Sequence, residues 1–420
     1  MKFGVLQFFS WADRRVELET VYSRAFDRID IMDQAGYDAI WLAEHHFSSY
    51  SICPSVHMMA THIAARTKNL RIGTAVSLAA FYHPLRLAEE VALLDILSGG
   101  RVNWGAGRGF DQTEFRAFNV PMEESAERFR EAVDIVIQAW SNERLTYEGK
   151  YWKFDDVEVL PKPRQKPHPP VWVAASSEKA ILWAGEQGYT IMMDPHSPHA
   201  KIAEKRELYR TTLERHGHSI AGRDIPMARL LAIAKTKEEA RNVAYQGAKW
   251  MVGSYMKPAL GAKPGAGLMA KDFGADGDVD PVERYVKDVV IHGTPESVVE
   301  QIQRLESEMY LDYLLCAPLR SAKPRFFCAL HGKSPSAIHR YKTSRDTLSG
   351  PAPRRAARRN QATRIAPGPD CFRASRRQCP REMPVPGRRG AALRTDILVP
   401  IRTASIRAGE VVLLFPPLLR

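Results

Sequence analysis

LRIGTAVSLAAFYHPLRLAEEVALLDILSGGRVNWGAGRGF, residues 70–110, reads as strand, helix, strand. Leu70–Val76 and Val102–Ala106 are short, largely apolar runs. Between them Pro84–Leu97 sets Leu85, Ala88, Val91, Ala92 and Leu94 at the 3.6-residue period of an amphipathic helix. A helix crossing between two strands leaves them parallel, with the helix covering one face. Working outward, the same alternation fills roughly the first three hundred residues. Strands predicted over Lys2–Phe9, Ala39–Ala43, Val171–Ala174, Tyr189–Met193, Met227–Ala234 and Tyr310–Leu315 bring the set to eight, with helices over Glu19–Ala35, Ser125–Trp140 and Glu178–Gln187 among them. Eight strands with intervening helices predict an α/β protein of the (β/α)8 TIM-barrel class rather than an open sheet.

Two segments interrupt the alternation. Leu145–Pro170 reads as a hairpin turning at Tyr147-Glu148-Gly149-Lys150-Tyr151, followed by a proline-rich stretch. Residues 257–280, KPALGAKPGAGLMAKDFGADGDVD, fall between the seventh and eighth strands. A long loop there overhangs the barrel mouth and is read as a lid, a functionless insertion being the plainer alternative.

The chain has 420 residues and a net charge of +12, but the charge sits at one end. Residues 320–420 hold 22 Lys and Arg against 5 Asp and Glu, which leaves residues 1–319 at −5. The body at 1–319, read as the catalytic domain, is therefore not basic, and nucleic acid is not its expected partner. From Arg320 onward periodicity dissolves into Arg, Pro, Ala, Ser and Gly. Three readings compete: a disordered basic arm for nucleic acid or acidic lipid, an ordinary solvated tail, or a reading frame shifted just after Leu319. The abrupt onset favours the last, and the helix due after the eighth strand is then replaced by unrelated sequence. No unbroken run of about 18 apolar residues occurs, and the start MKFGVLQFF lacks the order of a secretory signal, so a cytoplasmic protein without a membrane span is expected. Five cysteines, odd in number and not at metal-ligand spacing, are expected to be free thiols, with no metal site.

In a barrel of this kind the working groups lie at the carboxyl ends of the strands. The second strand ends in Glu44-His45-His46-Phe47. An imidazole there can take or give a proton near neutral pH, and a carboxylate beside it can fix its tautomer, although a structural role explains a His pair equally well. The fourth strand exits through Gly105-Ala-Gly107-Arg108-Gly109. Its glycines leave room for a ligand against the backbone, or for close packing, and Arg108 offers a fork of donors to a phosphate. The GxGxxG spacing of a dinucleotide site is missing. The fifth strand ends at Ser176-Ser177, ahead of a helix whose first-turn amides form an anion site, capping being the simpler explanation of the serines. Phe8, Trp11, Phe81, Tyr82 and Phe110 predict an apolar pocket.

Glu44-His45-His46-Phe47, then HPLRLAEEVALLDILSGGR from His83 to Arg101, then Gly105-Ala-Gly107-Arg108-Gly109 together resemble the bacterial-luciferase-like flavin monooxygenases in order and spacing, over residues 1–319. The resemblance implies a TIM barrel that uses reduced FMN and O2 to oxidise a small organic substrate. It also implies a separate NAD(P)H:flavin reductase and a homodimer. The deazaflavin coenzyme F420 is the alternative cofactor, with hydride transfer as its chemistry, and a non-catalytic flavin-binding protein or an inactive product with a damaged C-terminus is a further alternative. Position by position, the resemblance makes His45 the proton-transfer residue, with Glu44 beside it in the flavin site. It gives Arg108 and Ser177 to the FMN phosphate, with Ser176 contributing through its backbone. Ala75-Val76 matches a non-proline cis peptide beneath the flavin ring. Gly107 stands where luciferase carries its reactive cysteine, which argues against light emission but not against flavin. Glu114 matches an acidic neighbour of the flavin.

Overall fold

The computed structural model describes residues 1–255 and 280–319. The segment read as a lid, apart from Asp280, and the whole of residues 320–420 lie outside the described residues, as does the question of a shifted frame.

Eight parallel strands form the sheet that the sequence predicts. They are β1 (Lys2–Gln7), β2 (Ala39–Leu42), β3 (Arg71–Thr74), β5 (Val102–Gly107), β8 (Val171–Ala174), β9 (Thr190–Met192), β10 (Pro226–Ile233) and β12 (Tyr313–Pro318). Each except β9 pairs with the next, and β12 returns to pair with β1, Lys2 opposite Tyr313. The ring closes between β9 and β10 through one bridge, Met193 opposite Met227, where Met193 N donates to Pro226 O at 3.0 Å. The other strands are β4 (Ser77–Leu78) alongside β5, the antiparallel hairpin of β6 (Leu145–Glu148) and β7 (Lys153–Val157), and β11 (Ile291–Gly293) alongside β10.

Helices cover the outside. They are α1 (Leu18–Ala35), α2 (Val56–Arg66), α3 (Pro84–Leu97), α4 (Gln112–Ala117), α5 (Ser125–Ser141), α6 (Glu178–Glu186), α7 (His199–Arg215), α8 (Lys237–Tyr255), α9 (Pro281–Val289) and α10 (Pro295–Met309). In α1 the residues Val21, Ala25, Ile29 and Met32 recur every three or four positions and are the ones buried. Helix α2, not anticipated from the sequence, is capped by the Ser55 side chain, which accepts from Met58 N. The eighth strand begins three residues later than expected. Tyr310, at φ 50°, ends α10 in the left-handed region and stands 75% exposed, so its aromatic ring marks a helix stop and not a strand start.

The barrel interior is filled by a few large rings. Trp41 meets Trp172 edge-on with ring centroids 5.2 Å apart, and its Nε1 donates to Tyr313 Oη at 3.0 Å; Tyr313 in turn donates to Asp38. Rings of this size fit because strands facing them carry glycine. A Cβ at Gly73 would lie 2.3 Å from the Trp41 ring.

Candidate active site

β2 delivers Ala43 and then Glu44-His45-His46 to the mouth of the barrel. Glu44 is turned inward and buried. Its Oε1 accepts from Tyr82 Oη and pairs with His46 Nε2, both at 3.0 Å, and its Oε2 accepts from Leu78 N at 3.2 Å. Both oxygens are thus engaged by the protein, so Glu44 works here as a brace for the β2 exit. Burial and the Glu44 charge push the Tyr82 phenol far up, which keeps it a donor.

His45 faces the other way, into an aromatic enclosure. Phe8 stacks on it at 6.5 Å between centroids, while Tyr50 at 4.9 Å and Phe110 at 5.8 Å present edges. Its Nδ1 lies 3.4 Å from Glu114 Oε1. The same oxygen accepts from His46 N at 2.9 Å, whereas Glu114 Oε2 is buried without a hydrogen-bond partner. A buried carboxylate at Nδ1 favours the tautomer with its proton there and leaves Nε2 as the basic nitrogen. Cys53, whose carbonyl accepts from His45 N, keeps its thiol protonated, pushed up to about 12 by burial.

The glycines of the β5 exit are explained by packing. A Cβ at Gly105 would lie 2.0 Å from the Thr74 carbonyl oxygen, and Thr74 Oγ1 exchanges hydrogen bonds with Gly105 N and O at 2.9 and 2.7 Å. At Gly107 a Cβ would lie 2.2 Å from Val76 Cγ2. The space that the sequence reading left open for a ligand is filled at these two positions by the β3 exit. The Ala75–Val76 peptide bond between them is cis.

Arg108 is exposed at the end of β5, where its Nη1 donates to Ser125 Oγ at 3.4 Å. Since Ala106 lies opposite Val173, Arg108 and Ser176–Ser177 leave the barrel side by side. Ser177 caps α6, accepting from Ala180 N, and the amides ahead of it stay open, as at any helix N-terminus. Guanidinium and helix end together suit a phosphate.

A polar cluster that no sequence motif announces follows β9. Asp194 accepts from Ser197 N at 2.7 Å and from Lys205 Nζ at 2.8 Å. Burial alone would push its carboxyl up, but Lys205 and Arg229 hold it below the usual range. The fully buried Arg229 donates to His199 Nδ1 at 3.1 Å, and His196 Nδ1 pairs with Tyr285 Oη at 2.6 Å. Burial pushes His196 down to about 4 and His199 down to about 3. Both are neutral in the fold, while in the unfolded chain they protonate near the ordinary 6.5. Their contribution is complete above that pH and is lost as pH falls through the window between 6.5 and about 3. Urea unfolding is expected to show no loss from these two groups above pH 6.5 and, below it, a loss approaching about 1.4 kcal/mol per pH unit for each histidine down to about pH 4. The His196→Gln/His199→Gln variant should lose that part of the slope; an unchanged slope would count against the assignment.

Comparison with known proteins gives the class: the chain belongs to the luciferase-like monooxygenase family, whose model matches residues 1–310. Among curated relatives, the uncharacterized protein y4vJ of Sinorhizobium fredii is 33% identical over 41% of this chain and 50% of its own length, so the chain spans about half of that relative. The oxygenase component of the flavin-dependent trigonelline monooxygenase of Acinetobacter baylyi is 26% identical over 74% of this chain and 88% of its own. Among solved structures, the monooxygenase RslO1 of Streptomyces bottropensis superposes with a TM-score of 0.66 at 28% identity, over 78% of this chain and 95% of that one. Two more share the fold at lower identity. The oxygenating constituent of 3,6-diketocamphane monooxygenase of Pseudomonas putida, solved with FMN, has a TM-score of 0.66 at 20% identity, over 79% of this chain and 96% of that one. The coenzyme F420-dependent tetrahydromethanopterin reductase of Methanopyrus kandleri has a TM-score of 0.62 at 18% identity, over 80% and 99%. Among the described residues no helix is long and apolar enough to cross a membrane.

Proposed function

We infer that this chain is a flavin-dependent monooxygenase that takes reduced FMN and O2 and oxidises a small organic molecule. The observation that carries the reading is His45, held in an aromatic enclosure at the barrel mouth with Glu114 at its Nδ1. When bound, reduced FMN supplies the electrons that activate oxygen. The chain's own residues do the rest. Arg108, Ser177 and the first-turn amides of α6 hold the phosphate. Glu114 keeps a proton on His45 Nδ1, so that Nε2 moves the proton at the reacting centre. Phe8, Tyr50 and Phe110 keep water from that nitrogen and favour an apolar substrate.

The test is a titration with two flavins. Arg108→Ala is expected to weaken FMN binding by about 10- to 100-fold, as a charge-assisted bond lost should, and to leave riboflavin, which has no phosphate, unaffected. An equal loss for both flavins would remove Arg108 from the phosphate site. Coenzyme F420 is the competing cofactor on the strength of the shared fold, and anaerobic turnover with its reduced form in place of FMN and O2 would decide for it. A separate flavin reductase is the expected partner, since the similar trigonelline enzyme is itself the oxygenase component of its system. A homodimer is supported by the exposed apolar side chains of Met58 on α2 and Leu93, Ile96 and Leu97 on α3.

A further inference from the structure

His57 stands in the first turn of α2 and is buried. Its Nδ1 lies 3.0 Å from Glu90 Oε2 on α3, and its Nε2 lies 2.9 Å from Ser77 Oγ at the start of β4. Glu90 in turn accepts from Arg86 Nε at 2.8 Å, and its bond to His57 holds its carboxyl below the usual range. A carboxylate at Nδ1 keeps the proton there, so Nε2 accepts from the Ser77 hydroxyl. Carboxylate, imidazole and hydroxyl in this order activate a nucleophile where the hydroxyl meets a substrate. Ser77 is wholly buried, so the three side chains act as a clamp instead.

What they clamp is the exit of β3. Ser77 lies opposite Ala106 and Leu78 opposite Gly107 on β5, Val76 fills the space at Gly107, and Leu78 N donates to Glu44 on the β2 exit. His57 also meets the Tyr82 ring edge-on at 5.5 Å, and Tyr82 Oη donates to the same Glu44. Strand β3 stands between β2 and β5 in the sheet. A flavin with its phosphate at the exits of β5 and β8 and its reacting end at His45, on the exit of β2, therefore crosses residues 75–78. We propose that His57 is a positioning residue for the flavin ring: backed by Glu90, it holds Ser77 from the α2 side and so fixes Val76 and Leu78 where the ring passes. This role rests on the flavin reading above and extends it to residues that touch neither phosphate nor substrate.

Riboflavin and FMN are titrated against the unaltered chain and against Ser77→Ala, His57→Leu and His57→Gln, with melting temperatures followed alongside. Ser77→Ala and His57→Leu are expected to weaken both flavins by the same factor, about 3- to 10-fold for one hydrogen bond, because the ring is common to the two. Arg108→Ala, by contrast, should weaken FMN alone. His57→Gln, whose amide can accept from Ser77 and donate to Glu90, should recover most of the loss. Unchanged affinity in Ser77→Ala, a loss confined to FMN, or His57→Gln no better than His57→Leu overturns the role. A fall in melting temperature with both affinities kept overturns it too, since the clamp would then serve the fold alone. Should His57→Leu fail to fold, Ser77→Ala, which removes only the hydroxyl, decides. An unaltered chain that binds neither flavin overturns the flavin reading and this role with it, a result that the variants cannot produce.

Discussion

His45→Ala is expected to cut turnover by about 100- to 10,000-fold, the usual contribution of a positioned acid or base, with little change in FMN affinity. The asymmetry follows from the geometry. His45 is held by Phe8, Tyr50 and Phe110 and by Glu114, whereas the residues proposed for the phosphate leave the barrel two and three strands away, on β5 and β8. Glu114→Gln provides the finer readout. A neutral amide removes the charge beside Nδ1 and can turn its NH2 group toward it, so kcat/KM should fall while FMN affinity holds. Rapid-mixing turnover beside an equilibrium FMN titration checks both. Equal losses in rate and affinity for His45→Ala would mean that the residue builds the flavin site instead of moving a proton.

Trp41→Ala is expected to cost about 3–5 kcal/mol of stability, a large share of the roughly 5–15 kcal/mol available to a folded protein. Trp41 is wholly buried inside the barrel, packs on Trp172 and supplies the Nε1 donor to Tyr313. Its removal opens a hole that the sheet cannot collapse to fill. The position of Gly73 makes the test specific. Gly73→Ala alone drives a Cβ into the Trp41 ring and should destabilise, but in the Trp41→Ala background the same methyl enters empty space. Urea unfolding of the two single variants and the double is expected to show a favourable coupling between the sites, and additive losses would refute this account of the core.

Much of the fold is legible in the chain because each barrel strand is a short apolar run and most covering helices repeat at 3.6 residues. Pro84–Leu97 and Val171–Ala174 coincide with α3 and β8 residue for residue. Tyr310 misled because an aromatic residue favours strands while the left-handed backbone it adopts is set by the turn that ends α10. The site was legible as far as its local motifs reach. Glu44, His45, Arg108 and Ser177 stand at strand ends, where a motif can be seen. The partners that define what they do are far off in sequence: Tyr82 is 38 residues from Glu44, and Glu114 is 68 from His46. Such contacts depend on the path of the chain through the barrel and leave no periodic trace. The glycines at 105 and 107 were visible, but whether they face a ligand or a neighbouring strand is decided only by what fills the space.

At Gly107, the position of luciferase's reactive cysteine by resemblance, the room a side chain needs is held by Val76 Cγ2, 2.2 Å from where a Cβ would stand. A lineage carrying this pair cannot gain the thiol in one mutational step without a clash, and trimming Val76 first would leave its own Cβ 3.1 Å away, tight but closer to tolerable. The two positions are coupled: with valine at 76 a side chain at 107 has no room until Val76 is trimmed, so the order of substitutions decides whether a thiol can be gained.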